Sequence, residues 1–453
     1  MFPSFPKIFL LFGTIFGLIM VFLVPPFQSP DEMAHLERSF ELSEGKLISA
    51  NNCVHNLPQN LQTFFENSSF FDVRDKNKDF NFQKTFAKNS TLKINQERTD
   101  FVGSSCPYPP FPYLSQIVAV LLGKILHFNL SLIFYLGRIL NLFVYLALIY
   151  FALKITPGFK KTLALIALAP IALQGATAWS ADGFVIGMSF LFIAYVFNLA
   201  YNKNILQINK RNIALTILLG ILLSLSKLAY FPIIFLYFLI PQEKFKNKKK
   251  YFLVFLEIFF SVAIALSVWL YATKNIQVSI LAPKEAFHAQ LLYVLSHPFI
   301  FLFTVFKTIF IDSFYNYFIE SYGVLGWYKV NPYFFTAFSY LILIGIIASG
   351  EFKKFKKDNL QSGKGIFFLI NFGIFFITSL IIFFINYLTF TSKNKIGGDI
   401  IIGIQGRYFT PILPFLFFSL PALGSLIRKK YFLWLLILLS LIISTLLIYK
   451  KYY

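Results

Sequence analysis

Long apolar runs decide what this chain can fold into. Residues 8–24, 131–151, 251–271, 366–387 and 432–449 are nearly unbroken stretches of Leu, Ile, Phe and other apolar residues. A helix crosses the hydrocarbon core of a bilayer with about 20 such residues. In lipid every backbone amide needs a partner within the protein, so runs of this kind must be helical. Further apolar segments lie at 111–128, 162–178, 183–201, 213–226, 228–240, 298–312, 333–349 and 410–427, several too short to span alone. The expected fold is all-α and polytopic, a bundle of about 11–13 transmembrane or re-entrant helices. Composition agrees: only 13% of the 453 residues are charged, against about 25% in a soluble domain.

The net charge of +21 does not point to a nucleic-acid partner. Much of it sits in the short loops KFKNKKK (244–250), KKFKK (353–357) and Arg428-Lys429-Lys430. Short Lys/Arg-rich loops mark the cytoplasmic side of a membrane protein. The first run ends in Val24-Pro25-Pro26-Phe27 with no small-residue cleavage site, so it reads as a retained helix with its N-terminus inside. Its Gly13-x-x-x-Gly17 spacing lets a neighbouring helix approach closely.

The chain then divides into the first helix (1–24), a polar extracytoplasmic loop (25–110) and a transmembrane bundle (111–453). Cys53 and Cys106 both fall in the loop. A cysteine pair in an exported segment suggests a disulfide, with two free thiols as the alternative. Residues 64–100, rich in Asn, Lys, Asp and Ser, read as mobile. Basic loops flank 213–240 on both sides, so it reads as a hairpin of two short helices with Lys227 at its outer tip. Lys154, Lys160 and Lys161 favour an inside loop and put Asp182 outside. Three apolar segments lie between the first outer loop and Asp182, so one of them must be interfacial or re-entrant; the prolines at 107, 109, 110 and 112 make 111–128 a candidate.

That topology gathers polar groups on the outer face. Asp31, Glu32 and His35 follow the first helix directly; Asp182 lies in SADGF, Lys227 in LSLSKLAYFP, and Gln405, Arg407 and Tyr408 in IQGRYFTPILP. Ionisable residues at membrane depth are functional candidates by default. Each also has a structural alternative. Asp182 could cap the helix beginning at Gly183, Lys227 could snorkel, Arg407 could pair with Asp399, and His35 could bond locally to Asp31 at i−4.

The ordered blocks PDEMAHLERSFELSEGKL, SCPYPPFPYLSQ, YLGRILNL, SADGF, LSLSKLAYFP, GVLGW and IQGRYFTPILP span nearly the whole chain. Together they resemble a family of predicted bacterial membrane proteins of unknown function that is often placed beside the GT-C glycosyltransferases. More distant similarity is to protein O-mannosyltransferases, aminoarabinose transferases of lipid A and oligosaccharyltransferases. The resemblance implies a GT-C-like bundle with a large first extracytoplasmic loop. It implies a glycosyltransferase in the cell inner membrane, its active face periplasmic, moving sugar from a polyprenyl-phosphate donor to an envelope glycan, lipid or protein. By position, Asp31 and Glu32 match the acidic pair of the first outer loop and are the catalytic candidates. Asp182 matches a later carboxylate. Lys227 and Arg407 would hold the donor phosphate, with His35, Gln405 and Tyr408 beside them in the substrate site. A divalent cation, Mg or Mn, between Asp31 and Asp182 is left open. Function carried over at superfamily level is analogy.

No Walker A loop, Rossmann glycine fingerprint, HExxH, CxxC or G-x-S-x-G elbow occurs in the chain. The alternative from another class is a transporter or flippase of lipid-linked saccharides. Such proteins are often built from internal repeats with paired broken helices, and no convincing repeat is visible here.

Overall fold

The structure is a computed structural model that describes residues 4–453 except 77, 279, 313, 361–363 and 422–429. Helix α1 (Phe5–Leu23) stops where Val24 meets Pro25-Pro26, because proline brings no amide to the ladder and clashes with the preceding turn. The polar loop holds α2 (Glu32–Ser43), the hairpin β1 (Val54–Pro58) with β2 (Arg98–Val102), and three short helices between the strands: α3 (Asn60–Asn67), α4 (Phe70–Asp75) and α5 (Phe82–Asn89). The stretch expected to be mobile therefore carries regular structure. Its polar composition hides Phe64, Phe70 and Phe80, which are buried, and it is tied to the bundle by Phe80 N–H donating to Tyr452 O at 2.6 Å.

The bundle continues with α6 (Leu114–Ile125), α7 (Leu130–Ile155), α8 (Lys160–Ala167), α9 (Pro170–Ala176), α10 (Asp182–Tyr201) and α11 (Lys210–Ser226). A 3-10 helix (Leu228–Leu239) follows, then α12 (Lys248–Thr273), α13 (Lys284–Ser296), α14 (Pro298–Lys307) and α15 (Phe314–Tyr322). The chain closes with α16 (Phe334–Asn359), α17 (Lys364–Asn386, its helical course running on to Asn394), α18 (Leu413–Phe418) and α19 (Lys430–Tyr452). Among the described residues seven helices are long and apolar enough to cross a membrane, or eight if the bent pair α13–α14 counts as one span. Arg428, Lys429 and the last six residues of the expected helix 410–427 lie outside the described residues.

Two short apolar stretches run between the ends of the bundle by unequal means. The expected span 162–178 breaks at Leu168-Ala169, ahead of Pro170, into α8 and α9. The expected helix at 228–240 is a 3-10 helix of 12 residues; at a rise of ~2.0 Å per residue it reaches about 24 Å, where an α-helix of that length would reach about 18 Å. Close helix approach occurs where the glycine spacing indicated it. A Cβ on Gly13 would lie 2.6 Å from Leu146 Cδ2, and one on Gly17 2.7 Å from Leu142 Cδ1, both on α7. Phenylalanine fills much of the interior, as where Phe159 meets Phe355, Phe367 and Phe418 with ring centroids 5.1, 6.2 and 4.3 Å away.

The two ends of the bundle differ in charge. At one end Glu351 of α16 accepts the backbone amides of Lys161 and Thr162 at 3.1 and 2.9 Å. There too Lys244 Nζ donates to Leu199 O at the close of α10 at 2.6 Å. This basic end gathers Lys154, Lys160, Lys161 and the lysines of 244–250 and 353–357. The other end carries the polar loop, the start of α10 and the end of α11. Helix α12 reaches it as well, since Trp269 Nε1 donates to Pro107 O at 2.8 Å. Helix α6, with only 12 residues, lies at this loop end against α7 and α2. It is too short to cross, which satisfies the parity that left Asp182 and Asp31 on the same side. Helices α13 and α14 meet at 102° between α12 and α16 and lie at the loop end too.

Candidate functional site

Asp31 and Glu32 are adjacent yet do different things. Asp31 adopts a left-handed backbone, φ 61°, a conformation Asp tolerates better than most residues. Glu32 opens α2 and is fully buried. Arg138 of α7 meets it with two parallel bonds, Nε to Oε1 at 2.8 Å and Nη2 to Oε2 at 2.7 Å. Glu32 also accepts the amides of Phe27 at 2.9 Å and Trp179 at 3.1 Å. The remaining Arg138 donors go to Val21, Val24 and Pro25 carbonyls at the close of α1. Glu32, a catalytic candidate by sequence, thus turns its carboxylate into the protein, where it ties α1, α2, α7 and the segment leading to Asp182.

Asp31 faces the other way and meets Arg407. Arg407 Nη2 donates to Asp31 Oδ2 at 2.6 Å, Nη1 to Asp182 Oδ2 at 3.1 Å and Nε to Gln405 Oε1 at 2.6 Å. Asp182 is the first residue of α10; its amide donates to Ser180 Oγ at 3.0 Å, and its side chain goes to the cations instead of capping the helix. Lys227, between α11 and the 3-10 helix, lies 3.8 Å from Asp182 Oδ1 and 4.1 Å from the centre of the Tyr408 ring. Asp399 pairs with Lys307 at 2.6 Å, so it does not compete for Arg407. Four charges from four distant parts of the sequence form one neutral cluster, two carboxylates with two cations.

The loop that carries Arg407 is held from behind. Glu320 Oε2 accepts the Gly406 amide at 2.6 Å, and Tyr230 Oη donates to Tyr408 O at 2.8 Å. Gly406 has no room for a side chain, since a Cβ there would lie 2.3 Å from Glu320 Cβ. His35 is buried at the same end, its Nδ1 2.6 Å from Tyr113 Oη and 3.3 Å from Ser105 Oγ. Burial lowers its pKa from 6.5 to about 4 despite the pull of Asp31 and Asp182, so the ring is neutral at neutral pH.

A cavity of about 440 Å³ opens beside this cluster. Asp31, His35, Lys227, Gln405 and Tyr408 line its polar wall, while Leu266, Leu270, Ile382 and Ile385 of α12 and α17 line its apolar wall. Arg407 and Asp182 stand behind the polar wall, fronting a narrow cleft with Ser180 and Tyr328. Asp31 and Asp182 each present Oδ2 to the guanidinium, which lies where a bridging divalent cation would sit. The pair as arranged does not fit a metal centre. Cys53 and Cys106 are joined by a disulfide with Cα atoms 5.7 Å apart. Closing that loop is worth about 4 kcal/mol in the chain-entropy model.

The sequence did not single out Arg138, Glu320 or Tyr230. Arg138 had a signal: it is the one charge within the apolar run 131–151 of α7, and an unpartnered charge at that depth is costly.

Fold and site together define a polytopic helical membrane protein with one composite polar site at a single end of its bundle. The chain belongs to the family described as Predicted membrane protein (DUF2142), whose model matches residues 12–416. No curated protein and no solved structure matches it.

Proposed function

We propose that this protein is a membrane glycosyltransferase of the GT-C type, taking a sugar from a polyprenyl-phosphate donor at the periplasmic face of the inner membrane. The observation that carries the reading is the cavity with one apolar and one charged wall, at whose edge Asp31, Lys227 and Tyr408 converge. A lipid-linked phosphate has the same division. Its chain suits Leu266, Leu270, Ile382 and Ile385, and its phosphate suits Lys227, the cation that faces the cavity.

The chemistry assigns the groups as follows. Asp31 Oδ2 is engaged by Arg407, and Oδ1 takes the proton of the acceptor hydroxyl. The acceptor hydroxyl oxygen attacks the anomeric carbon, the bond from carbon to the phosphate oxygen breaks, and the electron pair leaves with polyprenyl phosphate. Lys227 meets the charge that develops there. A positioned general base contributes roughly 100- to 10,000-fold. Arg407, occupied by Asp31, Asp182 and Gln405, orients the base and reaches the phosphate only by exchanging a carboxylate. Neutral His35 offers the sugar or acceptor a hydrogen-bonding wall without adding charge. The basic end is then cytoplasmic, as short lysine-rich loops favour.

The test is reconstitution of the purified protein in vesicles with lipid-linked sugars extracted from the source membrane. A transferase releases free polyprenyl phosphate and leaves the sugar on a new acceptor. A flippase moves the lipid-linked sugar across the bilayer with its linkage intact, and that outcome would replace this reading.

A further inference from the structure

We propose that the Cys53–Cys106 pair becomes part of a zinc site when the disulfide is reduced, with Cys53, Cys106, His55 and Glu37 as ligands. The cluster lies in the polar loop and uses none of the four charges at Asp31, Asp182, Lys227 and Arg407, so the inference does not depend on the transferase reading. Ligand atoms of Cys53, His55 and Cys106 all lie within 4.8 Å of one another, and the three residues are buried. Tetrahedral zinc with bonds of about 2.0–2.3 Å sets its ligand atoms roughly 3.3–3.8 Å apart, a spacing this cluster reaches by small side-chain movement.

The histidine is already turned for the task. His55 Nε2 lies 3.2 Å from Cys106 Sγ. Its other nitrogen, Nδ1, is 3.1 Å from Glu41 Oε2, off the line of an ideal hydrogen bond. Glu41 is itself held by Arg38 at 2.6 Å and Ser49 at 2.5 Å. A carboxylate behind the far nitrogen of a ligating histidine is the usual outer support of a zinc site, where it fixes ring orientation.

A second observation points the same way. Glu37 is 5% exposed, and its Oε2 is a buried oxygen without a hydrogen-bond partner. A Cβ on Gly103 would lie 2.3 Å from His55 Nε2 and 3.1 Å from Glu37 Oε2. Gly103 therefore packs directly against the histidine, and the unpartnered carboxyl flanks the same glycine. Two thiolates, an imidazole and a carboxylate make a four-ligand set that zinc accepts.

The electron balance is simple. A dithiol or phosphine reductant supplies two electrons to the disulfide, giving two thiols. Zinc then displaces one proton from each thiol, and those protons go to solvent. Bridge and metal are thus alternative staples for the same pair of strands.

The experiment uses the full chain in detergent, reduced with a phosphine, with cobalt(II) as the spectroscopic probe and zinc as competitor. One cobalt should bind per reduced chain, with the intense visible bands of a tetrahedral site and a thiolate charge-transfer band. Zinc should displace it, and the oxidised protein should give neither band. His55→Ala and Glu37→Gln should each weaken cobalt binding by at least 10-fold, while Lys78→Ala, on the exposed side of the loop, should leave it unchanged. Reduced protein that stays monodisperse and gives no tetrahedral spectrum overturns the proposal. So does reduced protein that aggregates equally with and without cobalt, or a spectrum that survives Cys53→Ser with Cys106→Ser.

Discussion

Glu32 and Arg138 are 106 residues apart and meet as a bidentate ion pair in which both side chains have no solvent exposure. Removing one partner of such a pair strands the other charge, at a cost of about 3–5 kcal/mol. Glu32→Gln and Arg138→Met should each lower the melting temperature sharply, while Asp31→Asn, whose side chain is 40% exposed, should lower it little. A Glu32→Gln protein that melts like wild type would show that the pair does not hold α2 in place.

Lys227 and Arg407 are both cations of the cluster, but they should fail differently. Lys227 lines the cavity, so Lys227→Met should weaken polyprenyl-phosphate binding by 10-fold or more, with melting nearly unchanged. Arg407 spans two carboxylates, and a lysine there lacks the planar fork to reach both. Arg407→Lys should slow transfer more than it weakens donor binding. A double-mutant cycle between Arg407 and Asp182 should report coupling of about 0.5–3 kcal/mol. Equal loss of donor affinity in the Lys227 and Arg407 variants would contradict this division.

His35 gives the fold an acid limit. Its pKa is about 4 in the folded protein and 6.5 as the free residue. The unfolded chain therefore takes up the proton first. The stability due to neutral burial is fully present above pH 6.5 and is lost as pH falls toward 4. At ~1.4 kcal/mol per pH unit the loss reaches about 3 kcal/mol. His35→Gln should flatten the melting curve between pH 6.5 and 4.5, measured in one detergent at constant ionic strength. An unchanged slope would remove His35 as its cause.

Sidedness is testable with an impermeant maleimide, because the bridged cysteines do not react. Cysteine placed at Lys78 or Asp399 should be labelled from outside intact cells, and cysteine at Lys248 or Lys354 only after permeabilisation. Labelling at 248 but not at 78 would invert the assignment of the basic end.

The long apolar helices were legible in the chain because their runs match the bilayer, and the basic loops on either side of its hairpin pointed to the place of Lys227 at the end that carries the polar loop. Asp31, Asp182, Lys227 and Arg407 could be gathered by sidedness, but not their pairing, since Arg407 and Asp182 are 225 residues apart. Glu32 could not be told from Asp31 by residue type; only the buried Arg138 separates them. The stretches 162–178 and 228–240 were legible as apolar, but apolarity alone does not distinguish a helix broken at Pro170 from a continuous one, or a 3-10 helix from an α-helix. The order in residues 64–100 escaped detection because a few buried phenylalanines outweigh many exposed polar residues.

The central claim is that Asp31 takes the acceptor's proton during sugar transfer. Asp31→Asn preserves the shape of the residue and removes both base and charge. The decisive measurement is release of polyprenyl phosphate by reconstituted wild-type and Asp31→Asn protein, with donor binding recorded for both. The account predicts a fall of roughly 100- to 10,000-fold in release, with donor still bound and melting little changed. Release at the wild-type rate by a folded Asp31→Asn protein would contradict it.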